Sequence, residues 1–373
     1  MAFIRYKKRG NKWYAYEVIA FWDQSSKKPK QKTKYLGVAD SKGGEITKPG
    51  KTIAVSHEKS IVDFGDCYAI KQVAENTGFI ALFKNSFEDV DTIMTLICYQ
   101  ISEGAAMYNC QEWVEGNIAG KLFPQAKLQS QNISRLINYL GRDDVQSKFF
   151  KAYIEKFFKG TCSLLIDSTS LPSSINNSLN NWGHSSDGID QKVGCLLLVD
   201  KISKLPIYFR AIPGEIADVS TLKITIDQIY RLGLKPESAI FDAGYFSKDN
   251  IKYLCSEKIN FVTRMPRSRK QFKKLVNGAG KMEARVSAVQ YGKRVVFIKS
   301  KEISLYNHKM FAHVILDPFK KAKDTSQFLF TAFEDEETEK DTNCKIKYSG
   351  YFILISRCQL SKEEVLPTYY TSA

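Results

Sequence analysis

The chain has 373 residues, 43% of them hydrophobic, and a formal net charge of +15. That length suits two or three domains, and that composition buries a sizeable core, which excludes a disordered chain. No apolar run approaches a membrane span, and the N-terminal Met1-Ala2-Phe3-Ile4-Arg5-Tyr6 lacks the apolar centre of a signal peptide, so a cytoplasmic protein is expected.

Residues 1–58 alternate apolar and basic side chains. Lys12 to Trp22 reads as a strand, and the lysine-rich stretch from Lys27 to Lys34 as a loop entering a second strand that ends at Tyr35-Leu36-Gly37. The first 60 residues hold 14 Lys and Arg against 5 Asp and Glu, so +9 of the net +15 lies there. A polyanion is the natural partner of such a field, with Lys28, Lys30, Lys32 and Lys34 as candidate DNA contacts. A solubilising basic surface, or a sheet whose edges are protected by charge, is the plainer alternative. No amphipathic basic helix accompanies the charge, which sets a membrane surface aside.

Residues 59–158 read as helical and as a DNA-binding domain. Gly78 has the position of a C-cap, and Asp89 can cap a helix with Ile93, Leu96, Ile97 and Ile101 on one face. Ile133, Leu136, Ile137 and Leu140 keep helical spacing up to Gly141, and another helix spans 144–158. After Gly160 the period changes. Ser163 to Ile166 is a short buried strand ending at Asp167, followed by a polar loop from Ser168 to Asp190. Strands then run from Val193 to Val199 and from Leu205 to Ala211, joined by a hairpin at 200–204. A helix capped by Asp218 and closed by Gly233 precedes a strand from Ser238 to Phe241, which ends at Asp242. A helix over 248–258 and a strand from Phe261 to Arg264 complete a mixed α/β sheet over 159–264. Residues 265–348 break the alternation and read as a β-rich insertion. They begin with a basic stretch, of which Arg267, Arg269 and Lys270 are candidate DNA contacts, and include an acidic run, Glu334-Asp335-Glu336-Glu337. Tyr351 to Ser356 resumes the core, which occupies 349–373.

The eight cysteines show no CxxC spacing, and the four histidines no metal-binding spacing, so buried hydrophobes are expected in place of zinc ligands or disulfides. Chemistry instead points to two aspartates in matching settings, Leu164-Leu165-Ile166-Asp167 and Ala239-Ile240-Phe241-Asp242. A carboxylate after a central strand stands at the mouth of a sheet, where ligand clefts form. Two such oxygen donors on neighbouring strands suit Mg²⁺ or Mn²⁺ and the metal-assisted chemistry of phosphodiesters. Aspartates after strands also serve as caps and turn residues, and the sequence leaves that reading open.

Asp242-Ala243-Gly244-Tyr245-Phe246-Ser247 resembles the Asp-x-Gly-Phe/Tyr signature of insertion-sequence DDE transposases of the IS-four type. Leu165-Ile166-Asp167-Ser168-Thr169 is similar to the strand bearing their first aspartate, and Pro213-Gly214-Glu215-Ile216-Ala217-Asp218 to the Pro-Gly-Asn-x-x-Asp segment between the two. Tyr351 to Ser356 and Glu363 to Tyr370 resemble the strand and helix start that lead to the third acid. Order and spacing carry the resemblance over nearly the whole chain. It implies an RNase H-like core with a β insertion, double-stranded DNA as partner (terminal repeats and target), a nucleoid-associated location, and Asp167 and Asp242 as catalytic and metal-holding residues with Mg²⁺ or Mn²⁺. It admits a homodimer on DNA. Tyr370 matches the first position of the family's Tyr-x-x-Arg-x-x-x-Glu segment and Ala373 stands where the Arg belongs, so a truncated, inactive copy is the expectation. Glu363 and Glu364 match the preceding segment and are not given the third acid's role. A non-catalytic DNA-binding descendant is the main alternative, and an RNase H-type nuclease a weaker one.

Overall fold

The computed structural model describes residues 2–48, 61–185, 188–214, 216, 218–334 and 339–370. It divides into two compact units, Met1–Val62 and Asp63–Ala373.

The first unit is a three-stranded antiparallel sheet in the order β1 (Ala2–Arg9), β2 (Lys12–Asp23) and β3 (Lys28–Ala39). The stretch Lys28 to Lys34, expected as a loop, is strand. Every second residue there is lysine, so a period of two sends all four charges to one face. Lys28, Lys30, Lys32 and Lys34 stand opposite Asp23, Phe21, Ile19 and Glu17 of β2, so two of the four face acids and two face apolar side chains. Lys30 is ion-paired with Asp23. A bulge near Tyr35 shifts the register, and Gly37 is required just beyond it. Its φ is +148°, and a Cβ would meet the Thr47 carbonyl oxygen at 2.3 Å.

The second unit begins with helices α1 (Gly65–Asn76), α2 (Phe79–Ser86), α3 (Val90–Ser102), α4 (Cys110–Trp113), α5 (Ala119–Leu122), α6 (Ser130–Leu140) and α7 (Asp143–Phe157). Asp89 caps α3 through the Thr92 N–H. Ile93 and Leu96 are buried, whereas Ile101, in the last turn, is exposed. Helix α7 carries Phe150, Tyr153 and Ile154 into the main core, and the Tyr153 hydroxyl donates to the Pro206 carbonyl at 2.6 Å.

The main sheet follows. Its elements are β4 (Thr161–Pro172), β5 (Asn181–Ser185), β6 (Gly188–Asp200), β7 (Pro206–Pro213), α8 (Leu222–Arg231), β8 (Lys235–Phe241), α9 (Lys248–Ser256), β9 (Asn260–Arg264), α10 (Lys270–Gly278), β10 (Ala288–Tyr291), β11 (Arg294–Leu305), β12 (His308–Leu316), α11 (Pro318–Glu334), α12 (Glu339–Lys347), β13 (Tyr351–Ser356) and α13 (Lys362–Tyr370). The spatial order is β10-β11-β12-β13-β9-β8-β4-β6-β5, with β7 also on β6. Only β4/β8 and β8/β9 pair in parallel among the described strands. Alternate residues of the central strands feed two cores. Leu164, Ile166, Ala239 and Phe241 join α7, α8 and α9 on one face. Leu165, Ile240, Val262 and Leu354 join Val365 and Leu366 of α13 on the other. Cover on both faces explains why these strands read as unbroken apolar runs.

Several expectations change. Strand β4 does not stop at Asp167 but runs on to Pro172, and residues 181–185 and 188–190 of the expected polar loop pair as β5 with the start of β6. The polar side chains of Ser168 to Ser170 conceal the strand because this part pairs only with β6. Segment 265–348, read as a β-rich insertion, holds three helices besides its strands. Those strands are not a separate module: β12 bonds to β13, extending the core sheet. Helix α11 escaped the sequence because Phe319, Phe330 and Phe333 on it are exposed, which blurs its apolar period. Helix α8 starts at Leu222 with Thr221 at its N-cap position, three residues beyond Asp218. The side chain of Asp218, and the acidic run past Glu334, lie outside the described residues. Cys67, Cys98, Cys110, Cys162 and Cys255 are buried, and Cys344 and Cys358 are exposed.

Candidate active site

Parallel pairing of β4 with β8 ends at Ile166 opposite Phe241. The next residue on each strand is an aspartate, with backbones about 4.8 Å apart at the last paired position. Asp167 shares the parity of Leu165, and Asp242 that of Ile240, so both carboxylates emerge on the face covered by α13. Both are exposed and both line one cavity of about 530 Å³. Its floor is apolar, with Leu165, Leu197, Val199 and Ile240, and Lys204, Tyr369 and Tyr370 stand at its walls.

Each aspartate commits one oxygen locally. Asp167 Oδ1 accepts from the Ser168 N–H at 2.9 Å, and Asp242 Oδ1 accepts from the Gly244 N–H at 2.7 Å. The second bond caps the short turn Ala243–Tyr245, so Asp242 is a cap residue and a site residue at once. The Thr263 hydroxyl donates to the Asp242 carbonyl at 3.2 Å and fixes that backbone against β9. Two hard oxygen donors side by side fit a divalent ion such as Mg²⁺ or Mn²⁺. Among the described residues no three His, Cys, Asp or Glu side chains form a metal-holding group. Asp200, three residues along β6 from the partner of Asp167, is buried. Its carboxylate accepts from the Ser163 and Ser203 N–H groups and the Ser203 hydroxyl, closing the β6–β7 turn.

Tyr370 entered the sequence reading only as a motif position, and Tyr369 and Lys204 were not singled out as site residues. Burial pushes the Tyr369 phenol up to about 12; Arg264 opposes this, and the charges of Asp242 and Asp167 add to it. Burial likewise raises Tyr370. Both phenols are therefore neutral donors at neutral pH. Lys201 donates to the Thr368 carbonyl at 3.4 Å and ties the β6–β7 turn to the same end of α13. Glu363 and Glu364 occupy the opposite end of that helix. Glu364 Oε2 accepts from the Ser361 N–H at 2.9 Å and hydroxyl at 2.8 Å, a helix-capping arrangement. Six residues of helix, about 9 Å, separate Glu364 from Tyr370.

The other candidate residues lie elsewhere. Lys28, Lys30, Lys32 and Lys34 belong to the first unit and are exposed on β3. The Arg267 guanidinium donates to Asp324 at 3.0 Å and to the Tyr351 carbonyl at 3.0 Å. Arg269 donates to the Phe246 carbonyl at 3.3 Å, just after the Asp242 turn. Lys270 opens α10.

A family model described as the transposase DDE domain matches residues 159–370. No curated protein sequence matches the chain. Among solved structures, the chain is similar to piggyBac transposase in its synaptic complex with hairpin DNA. That alignment covers 79% of this chain and 55% of the other, at 11% identity and a TM-score of 0.40. The chain thus spans about half the length of that protein. No helix among the described residues is long and apolar enough to cross a membrane.

Proposed function

The chain belongs to the transposase DDE domain family, and on that premise we propose that it cuts DNA and transfers the cut strand, with Asp167 and Asp242 holding Mg²⁺ or Mn²⁺ ions. The observation that carries this reading is the pair of carboxylates one residue beyond the last parallel pairing of β4 and β8, on one face and in one cavity. A divalent ion bound there would activate an attacking oxygen and stabilise the leaving one. The chain's own groups do the rest. The apolar floor offers no competing polar partner to the two carboxylates above it. Tyr369 and Tyr370 supply neutral hydroxyl donors beside the acids. Lys204 adds a positive charge to the wall facing a phosphodiester.

The core is read as RNase H-like. What supports this is the order β7-β6-β4-β8-β9, antiparallel through the first three strands and parallel through the last three. The motifs around Asp167, Asp242 and Tyr370 support the IS-four type. Glu363 and Glu364 stay outside the metal set because capping holds Glu364 at the far end of α13. Double-stranded DNA is the partner, met through phosphates by Lys28, Lys30, Lys32 and Lys34, with Arg267, Arg269 and Lys270 beside the core.

The test is nicking of supercoiled plasmid in Mg²⁺. Asp167→Asn and Asp242→Asn should each lower the rate by more than about a hundredfold while duplex binding in EDTA is unchanged. A parent chain that does not nick answers to the inactive copy expected from the sequence and leaves the assignment of the acids to Mn²⁺ binding; a variant that nicks at the rate of a nicking parent contradicts the catalytic reading.

A further inference from the structure

The Tyr370 ring that walls the acidic cavity also walls a second one, of about 410 Å³. The second cavity lies over β13 and β11, on the same face of the sheet, between α11 and the end of α13. Arg294, Asp317, Lys320, Lys323 and Asp324 surround it, and Phe352 contributes to its floor.

Its two carboxylates are already engaged. Asp317 pairs with Arg294 at 2.9 Å and caps α11 through the Phe319 and Lys320 N–H groups. Asp324 pairs with Arg267 at 3.0 Å and accepts from the Gly350 N–H at 3.3 Å. Arg264 lies over the Phe352 ring, 5.4 Å from its centroid. Three cations (Arg294, Lys320 and Lys323) thus line the cavity, with Arg264 and Arg267 held against its residues Phe352 and Asp324, and two carboxylates balance only two of the five. Half-burial, with Arg264 and Arg267 nearby, pushes the Lys320 amine down, against the opposing pull of Asp324 and Asp317. An anion seated in the cavity relieves that crowding. None of these cations is close enough to another in the sequence to form a readable motif, except Arg264 with Arg267 and Lys320 with Lys323.

We propose that this cationic cavity holds a backbone phosphate of the same DNA duplex whose cleaved phosphodiester lies over Asp167 and Asp242. The inference rests on the DNA-cutting reading and adds to it a second phosphate site on the core. Its spacing follows from the sheet. Two to four strand intervals separate β8 from β13 and β11, about 10 to 20 Å at the usual interstrand distance. At 3.4 Å per nucleotide of one strand, the phosphate held lies about three to six nucleotides from the cut.

The experiment measures binding of the full chain to a mixed-sequence 30-base-pair duplex by fluorescence anisotropy, in EDTA, between 50 and 200 mM NaCl. Removing one phosphate-neutralising cation flattens the log–log salt dependence by about 0.9 and weakens binding about five- to tenfold. Lys320→Gln/Lys323→Gln is expected to show both changes, and Lys320→Arg/Lys323→Arg neither. Lys323→Gln alone, at an exposed side chain, is expected to show part of each, so the result does not depend on how the double variant folds. A parental salt slope in the Gln variants overturns the proposal while leaving the role of the acids standing. A parent chain that fails to bind the duplex overturns this proposal together with DNA as the partner. Nicking that survives Asp167→Asn or Asp242→Asn, with the salt slope still lysine-dependent, overturns only the catalytic assignment.

Discussion

His313 offers a prediction whose size follows from the structure. The imidazole is fully buried on β12, between Ser300 of β11 and Ser356 of β13. The Ser356 hydroxyl donates to the Cys358 carbonyl at 2.6 Å, so at 2.9 Å it accepts from His313 Nε2–H. Nδ1 is then the acceptor for the Ser300 hydroxyl at 2.7 Å. This chain of bonds satisfies the neutral ring, whereas an imidazolium would carry its charge in a fully buried place with no carboxylate bonded to it. Burial accordingly lowers its pKa from 6.5 to about 4. Above pH 6.5 the ring is neutral in both the folded and unfolded chain, and stability does not depend on it. As pH falls from 6.5 towards 4 the unfolded chain takes up a proton that the folded chain refuses. At about 1.4 kcal/mol per pH unit, the folded state loses about 3 kcal/mol across that window, with no further loss below it. Denaturant unfolding at pH 7 and pH 4 checks this, with His313→Gln as the reference in which other acid-sensitive groups cancel. The parent should lose about 3 kcal/mol more than the variant. Equal losses, or an imidazole NMR titration near 6.5, would refute the reasoning.

Glu364→Gln tests the exclusion of that residue from the metal set. It should leave Mn²⁺ affinity unchanged and lower the melting temperature by weakening the start of α13; a drop in Mn²⁺ affinity as large as that from Asp242→Asn would bring Glu364 back into the site. Replacing Lys28, Lys30, Lys32 and Lys34 together by Gln should flatten the salt dependence of duplex binding by about two or more, at about 0.9 for each phosphate no longer neutralised. An unchanged slope would remove that face of β3 from the DNA.

The acids were legible because their setting is local. Four apolar or small residues precede both Asp167 and Asp242, where the central strands are buried on both faces; such runs also precede Asp23, Asp40 and Asp200. Helix α3 was legible for the same reason, since Asp89 and the spacing of Ile93 and Leu96 lie within one element. What escaped depends on partners distant in sequence. Lys28 to Lys34 read as loop because charge at alternate positions becomes a strand only once Phe21 and Ile19 lie opposite. Strand β4 continues past Asp167 only because Val193 to Leu197 of β6 pair with it, and that pairing leaves no mark on the polar residues themselves. Tyr369, Tyr370 and Lys204 enter the site from two segments more than 160 residues apart. The cationic cavity draws on β11, α11, β13 and α13, and no spacing rule joins them.

The central claim is that Asp167 and Asp242 grip one divalent site at the end of the β4–β8 pairing. Anomalous diffraction from crystals of the chain grown with Mn²⁺ tests it most directly. The expected map has a peak within about 2.0 to 2.6 Å of a carboxylate oxygen of each aspartate. A well-ordered peak elsewhere, with both carboxylates bare at saturating Mn²⁺, would contradict it.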